Sequence, residues 1–141
     1  MHKRIAQFVA GLLFVALMNG CATPINSAQK QELRRYEAEG IAVEEKNPAA
    51  AAALGLLPGG GSFYTRNYGI GVVNLLFWPA SIVWDPVSGY QGAQSINYYA
   101  SKHNADEIRA QKLGKLEDDF ALDEISRREY VRKRRQIRNK Y

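Results

Sequence analysis

The stretch NPAAAAALGLLPGGGSFYTRNYGIGVVNLLFWPASIVW, Asn47 to Trp84, is the part of this 141-residue chain with enough continuous apolar surface to form a core or enter a bilayer. A segment that must leave water dictates what is arranged around it. The length allows one small domain with appendages and not two independent cores. Asn47-Pro48 and Asp85-Pro86 share a helix-start signature. In each, an Asx side chain can cap free N–H groups while proline in the first turn loses no needed hydrogen bond.

The spacing predicts an alanine-rich helix from Pro48 to about Leu57, roughly 15 Å long at the usual rise. It should break at Pro58-Gly59-Gly60-Gly61, because four such residues cannot continue a helix. A longer apolar helix is expected from Tyr68 to Trp84, kinked where Pro79 removes the hydrogen bond to Leu75. That arm is roughly 25 Å long, at the lower limit of a membrane span. The expected fold class is mainly α: a small helical domain with a glycine-rich kinked apolar hairpin and a two-helix C-terminal element. Gly60, Gly61, Phe63, Tyr64, Gly69 and Gly71 in PGGGSFYTRNYGIGVVNLL resemble the TM2 family. The resemblance implies a membrane-associated hairpin and supplies no chemistry.

Ahead of this stretch, Met1-His-Lys-Arg4 and the apolar run Ile5 to Met18 have the form of a secretory signal, too short for a comfortable span. Asn19-Gly20-Cys21 follows, and Cys21 is the only cysteine, so no internal disulfide can form. Gly20-Cys21 resembles the bacterial lipoprotein signal. The resemblance implies cleavage between Gly20 and Cys21, diacylation of Cys21, and removal of residues 1–20. Ala22 in place of aspartate implies outer-membrane delivery, on the periplasmic side. Stable anchoring takes at least two acyl chains, which that pathway supplies.

Residues 21–46 then read as a tether and a polar helix. Ser27 is expected to cap a helix running to about Glu39, and Gly40 to stop it. Leu33 and Tyr36 give that helix a thin apolar stripe, and Ile41-Ala-Val43 reads as a short extended piece. Residues 47–104 form the apolar core or membrane-associated hairpin. Within them Gly89, Gly92 and Ala93 place small residues on one helix face, expected to receive the kinked helix. Tyr90, Tyr98 and Tyr99 read as core rim.

Residues 105–141 form a charged helix pair with a basic tail. Leu113, Leu116 and Phe120 share one face, and Tyr130, Ile137 and Tyr141 stripe a second helix. Ser126 and Glu129 have capping-box spacing. Leu113, Leu116, Ile125, Ser126, Glu129, Tyr130 and Lys133 resemble the SHOCT domain, which implies a small oligomerisation or docking element. Arg127, Arg128, Arg132, Lys133, Arg134, Arg135, Arg138 and Lys140 stand against Glu129 alone. The formal charge of +5 therefore describes this tail, residues 21–126 being net acidic.

Such a cluster suits phosphate, but export removes nucleic acid from reach. Anionic lipid, peptidoglycan or an envelope protein remain as partners, with homo-oligomerisation a further route. A solvated face paired internally with the acidic run Glu117–Glu124 is the bland reading. Ser101, His103 and Asp106 have triad residue types, but their spacing does not align them on one helix face. PGGGSF lacks the Lys-Ser/Thr of a phosphate loop, and with residues 1–20 removed the one remaining histidine, His103, and an acylated cysteine make no metal site. No catalytic residue, metal or cofactor beyond the covalent lipid is expected. The primary expectation is a lipid-anchored envelope protein with a structural, docking or assembly role. The alternative is a membrane-active protein whose hairpin inserts into the bilayer or a transport complex.

Overall fold

Residues 24–141 are described by the computed structural model, and over them the chain is built from helices with no strand. In order these are α1 (Ser27–Ala38), α2 (Pro48–Leu54), α3 (Gly60–Tyr64), α4 (Tyr68–Leu76), a 3₁₀ turn (Ala80–Val83), α5 (Asp85–Ala121) and α6 (Arg127–Lys140). The mainly α class holds. The spine is α5, whose 37 residues extend about 55 Å at the α-helical rise. The helices α1, α2, α3 and α6 and the 3₁₀ turn pack on it, whereas α4 packs on α3. One helix thus runs unbroken across positions 104 and 105.

The boundaries follow local chemistry, with some shifts from expectation. The cap of α1 is Asn26, not Ser27: Asn26 and Gln29 exchange side-chain and backbone hydrogen bonds at 2.9 Å in a capping box. Gly40 ends α1 in the left-handed region (φ 69°), with the Gly40 and Ile41 N–H groups donating back to Glu37 and Tyr36. Helix α2 stops at Leu54, three residues early: the Leu56 and Leu57 N–H groups donate to carbonyls three residues back, and Pro58 closes the run. Gly59 turns the chain at φ 69°, and the helix resumes at Gly60, inside the run expected only to break. The Tyr68–Trp84 helix is broken, not kinked. Pro79 excludes Trp78 from helical geometry, so α4 ends at Leu76 and a 3₁₀ turn follows.

The small-residue face of α5 receives α2 and α3 instead of the apolar α4. A Cβ added at Gly89 would lie 2.7 Å from the Ala51 carbonyl and 3.0 Å from the Gly61 Cα. Backbone meets backbone there, in the manner small residues permit. Farther along α5, Asn97, Ser101 and Asn104 fall on one face and hold the irregular segment 41–46 against it. Asn97 Oδ1 accepts from Lys46 N at 2.9 Å while its Nδ2 donates to Lys46 O at 2.8 Å. Ser101 Oγ accepts from Val43 N at 2.9 Å, and Asn104 Nδ2 donates to Ile41 O at 2.7 Å. A segment with no sheet partner so finds its backbone bonds on a helix.

The apolar core beside it is Ile25, Leu33, Tyr36, Tyr98 and Ala105, with Ile41 against it. Tyr98 is core, but Tyr90 and Tyr99 are exposed, so only one of the three tyrosines expected at the core rim is buried.

Candidate interaction surfaces

A buried polar knot ties α3, α4 and the start of α5 together. Asp85 is 0% exposed. Its Oδ1 accepts from Ser62 Oγ at 2.5 Å and Asn74 Nδ2 at 2.7 Å, and its Oδ2 from Gly61 N at 3.2 Å. Asn74 Nδ2 also lies 3.0 Å from Ser62 Oγ, and Asn74 Oδ1 accepts the Trp84 indole N–H at 2.9 Å. Asp85 is therefore not the cap expected from Asp-Pro. It occupies the first helical position, and its side chain makes no cap bond to α5. Three tertiary donors take it instead, which is how a buried carboxylate is made tolerable.

Ser62 donates to this carboxyl from a position only 1% exposed, and among the described residues no imidazole joins the cluster. No spacing in the sequence pairs Ser62 with Asn74, although an asparagine inside VVNLL is a signal that a partner waits for it.

The knot fixes one end of the molecule in an unusual state. The last turn of α4, the 3₁₀ turn and the first turn of α5 turn their apolar side chains outward. Leu76 is 75% exposed, Phe77 63% and Val83 81%, and Val72, Leu75, Trp78, Trp84 and Val87 are exposed as well. Leu56 and Leu57, also exposed, lie close by, because Gly55 touches Pro86 at the start of α5 and Gly59 touches Gly71 in α4. Burying a side chain of this size gains about 1.5–3 kcal/mol, so water is a poor partner for the set. From Asn47 to Ser101 the only charged side chains are Arg66 and Asp85. Asp85 is inside the knot, and Arg66 pairs with Glu45 at 3.1 Å. Among the described residues no helix is long and apolar enough to cross a membrane.

At the far end α6 folds back along α5. Leu116 is buried, Phe120 stacks on Tyr130 with ring centroids 4.7 Å apart, and Lys112 Nζ donates to Tyr141 Oη at 2.5 Å. That ammonium holds the Tyr141 phenol below its ordinary range. The turn between them rests on Asp123 at φ 57°, with Asp123 and Glu124 N–H donating to Phe120 and Asp119. Ser126 Oγ accepts from Glu129 N at 3.3 Å. The Glu129 side chain does not complete a capping box; it pairs with Lys133 at 3.0 Å. Asn47 Oδ1 accepts from Ala50 N at 2.9 Å at the head of α2.

The basic residues of α6 are on its outer side. Arg127, Arg128, Val131, Arg132, Arg135 and Gln136 line an open hollow of about 700 Å³. Arg134 stands over the Tyr130 ring and Lys140 over Tyr141. Among the described residues no ion pair joins α6 to Glu117–Glu124, so the internal pairing that would neutralise the tail is not made; aromatic contacts hold the two helices together. Arg127, Arg128, Arg132, Arg135 and Arg138 thus face outward without a carboxylate partner.

A second polar cluster secures α1. Tyr36 Oη donates to Glu32 Oε1 at 2.6 Å and Tyr98 Oη to Glu32 Oε2 at 2.8 Å. The Tyr36 bond foremost holds the Glu32 carboxyl below its ordinary 4.5, against the opposing effect of burial. Burial, followed by the Glu32 bond, pushes both phenols above their ordinary 10.0.

Ser101, His103 and Asp106 do not meet: Ser101 is buried against residue 43, while exposed His103 pairs with Glu107 and Asp106 with Lys102. No group of three metal-ligating side chains converges among the described residues. Gly20 and Cys21, the cleavage and lipidation positions, lie outside the described residues. Comparison of the chain with protein-family models, with characterised proteins and with solved structures gives no match.

Proposed function

We propose that this is a non-catalytic, lipid-anchored protein of the bacterial envelope, on the periplasmic side of the outer membrane, that docks an anionic partner through α6. The observation that carries the reading is the row of five arginines on α6 with no carboxylate against them, although an acidic run lies one turn away in sequence. Arginine presents a planar fork of donors suited to carboxylate and phosphate. The lipoprotein-like Gly20-Cys21 supports the location, and the SHOCT-like pattern supports docking.

The test uses the full, lipidated chain with Arg128, Arg132 and Arg135 each changed to Glu. These side chains are exposed, so the fold is expected to survive. Binding is measured to isolated peptidoglycan sacculi and to phosphatidylglycerol vesicles, and partners are trapped by in-cell crosslinking. At least one of these three interactions should weaken tenfold or more and should fall steeply with salt. Unchanged binding to all three would overturn the docking reading.

A further inference from the structure

We propose that the blunt end built from α4, the 3₁₀ turn and the first turn of α5 is a bilayer seat. In it, Leu76, Phe77, Trp78, Val83, Trp84 and Val87 enter the boundary between headgroups and acyl chains of one leaflet without crossing it. The proposal concerns a surface separate from α6 and does not depend on the docking role.

Four observations favour lipid as the occupant. The first is charge. From Asn67 to Trp84 there is none; of the two flanking charges Asp85 is buried in the knot, and Arg66, though exposed, pairs with Glu45. An acidic or basic partner would find no complement here, whereas acyl chains need none. The second is composition. Phe77, Trp78 and Trp84 are the residue types that collect at the membrane–water boundary.

The third is polar satisfaction. Lipid cannot replace lost hydrogen bonds to water, and here several of the polar groups already have partners within the protein. The Trp84 indole donates to Asn74, and Asn74 donates to Asp85. The Phe77, Ser81, Ile82 and Trp84 N–H groups donate to carbonyls three or four residues back. The Ser81 hydroxyl faces inward, away from the seat.

The fourth is the chain ahead of the described residues. Ile25 is fixed in the core with Tyr98, and three residues, four steps of the chain, lie between it and Cys21. An extended chain of that length spans at most about 14 Å, so acylation of Cys21 would keep this body against a bilayer. No helix among the described residues is long and apolar enough to cross, so the contact is a seat on one leaflet. Its depth is that of an interfacial apolar face, about 5–10 Å.

The experiment uses the mature chain with Cys21→Ala, exported on a cleavable non-lipoprotein signal and purified, so that no acyl chain contributes. Trp78 and Trp84 are the two tryptophans and act as reporters. With vesicles of phosphatidylethanolamine and phosphatidylglycerol, the chain should float with lipid. Its emission should shift to the blue and be quenched by brominated acyl chains. Leu76→Asp with Val83→Asp alters two exposed positions; the pair should keep its circular dichroism and lose at least tenfold in partitioning.

No flotation and no blue shift at any lipid concentration would overturn the seat. So would a blue shift that grows with protein concentration without lipid, since a second copy would then cover the face. Loss of the shift when residues 1–20 are retained would assign the face to that segment instead. If flotation survives Leu76→Asp with Val83→Asp but disappears with Arg128, Arg132 and Arg135 changed to Glu, the seat fails and the α6 face is the lipid contact. Failure of the α6 variant to change any binding would count against the docking role alone.

Discussion

Asp85 is the residue on which most of the apolar end depends. Removing its carboxylate leaves Ser62, Asn74 and the Gly61 N–H without their common acceptor, in a place water does not reach. Each buried group left unpaired costs about 1–3 kcal/mol. Asp85→Ala should therefore lose about 3 kcal/mol or more, read as a lower urea midpoint. Ser81 predicts the opposite behaviour. Its hydroxyl is fully buried and has no hydrogen-bond partner among the described residues, so Ser81→Ala should leave stability unchanged or raise it by up to about 1 kcal/mol. A Cβ at Gly89 would press on the Ala51 carbonyl, and Gly89→Ala should cost about 1–3 kcal/mol through forced backbone shifts. The Asp-Pro dipeptide reads as a cap in sequence because cap and tertiary acceptor require the same side chain. What decides between them is whether Gly61, Ser62 and Asn74 converge on it, and those lie 11 to 24 positions away.

Helix α1 is held by chemistry that titrates at both ends of the pH scale. The Glu32 carboxyl is held below 4.5 in the folded chain. Its contribution is complete above that value and is lost as pH falls through the lower folded value. The Tyr36 and Tyr98 phenols are raised above 10.0. Their contribution is complete below pH 10 and is lost as pH rises through the raised folded values, because the unfolded chain ionises first. Stability measured by urea against pH should thus fall on both flanks, and Glu32→Gln should flatten the acid limb.

Much of the helical punctuation was legible in the residues themselves. Asn47-Pro48 marks the head of α2, Gly40 the end of α1, and Ser126 the head of α6. What periodicity could not give was partnership. The Gly89, Gly92 and Ala93 face announces that a helix will approach closely, but not that α2 and α3 do so while the apolar α4 stays outside. Nor does an acidic run near a basic one say that they pair: here aromatic stacking of Phe120 on Tyr130 sets the turn, and the arginines face away.

Along α5 the molecule separates its two kinds of surface. Most of the exposed apolar side chains gather near Asp85, with Leu122 and Val131 exposed at the other end, whereas α6 packs against the last turns of the same helix. From Asp85 to Lys112 is about 40 Å at the helical rise. A helix that long would let one end sit in a membrane while the other meets a partner beyond the headgroups. The sequence already contained both surfaces, in the run from Asn67 to Trp84 and in RKRRQIRNK. Their distance could not be read from it, because that follows from α5 continuing unbroken from the apolar region into the charged one.

The most direct test of this two-ended arrangement uses phosphatidylcholine vesicles, which offer the α6 arginines no net anionic surface, and places single nitroxides on the bound chain in the Cys21→Ala background, at Leu76→Cys in one sample and Arg135→Cys in another. Power saturation with oxygen and with a water-soluble nickel chelate then gives the depth of each label. The arrangement requires the label at 76 to lie below the headgroups, relaxed by oxygen, and the label at 135 to remain in water, relaxed by nickel. Both labels equally open to nickel, or the label at 135 the deeper of the two, would contradict it.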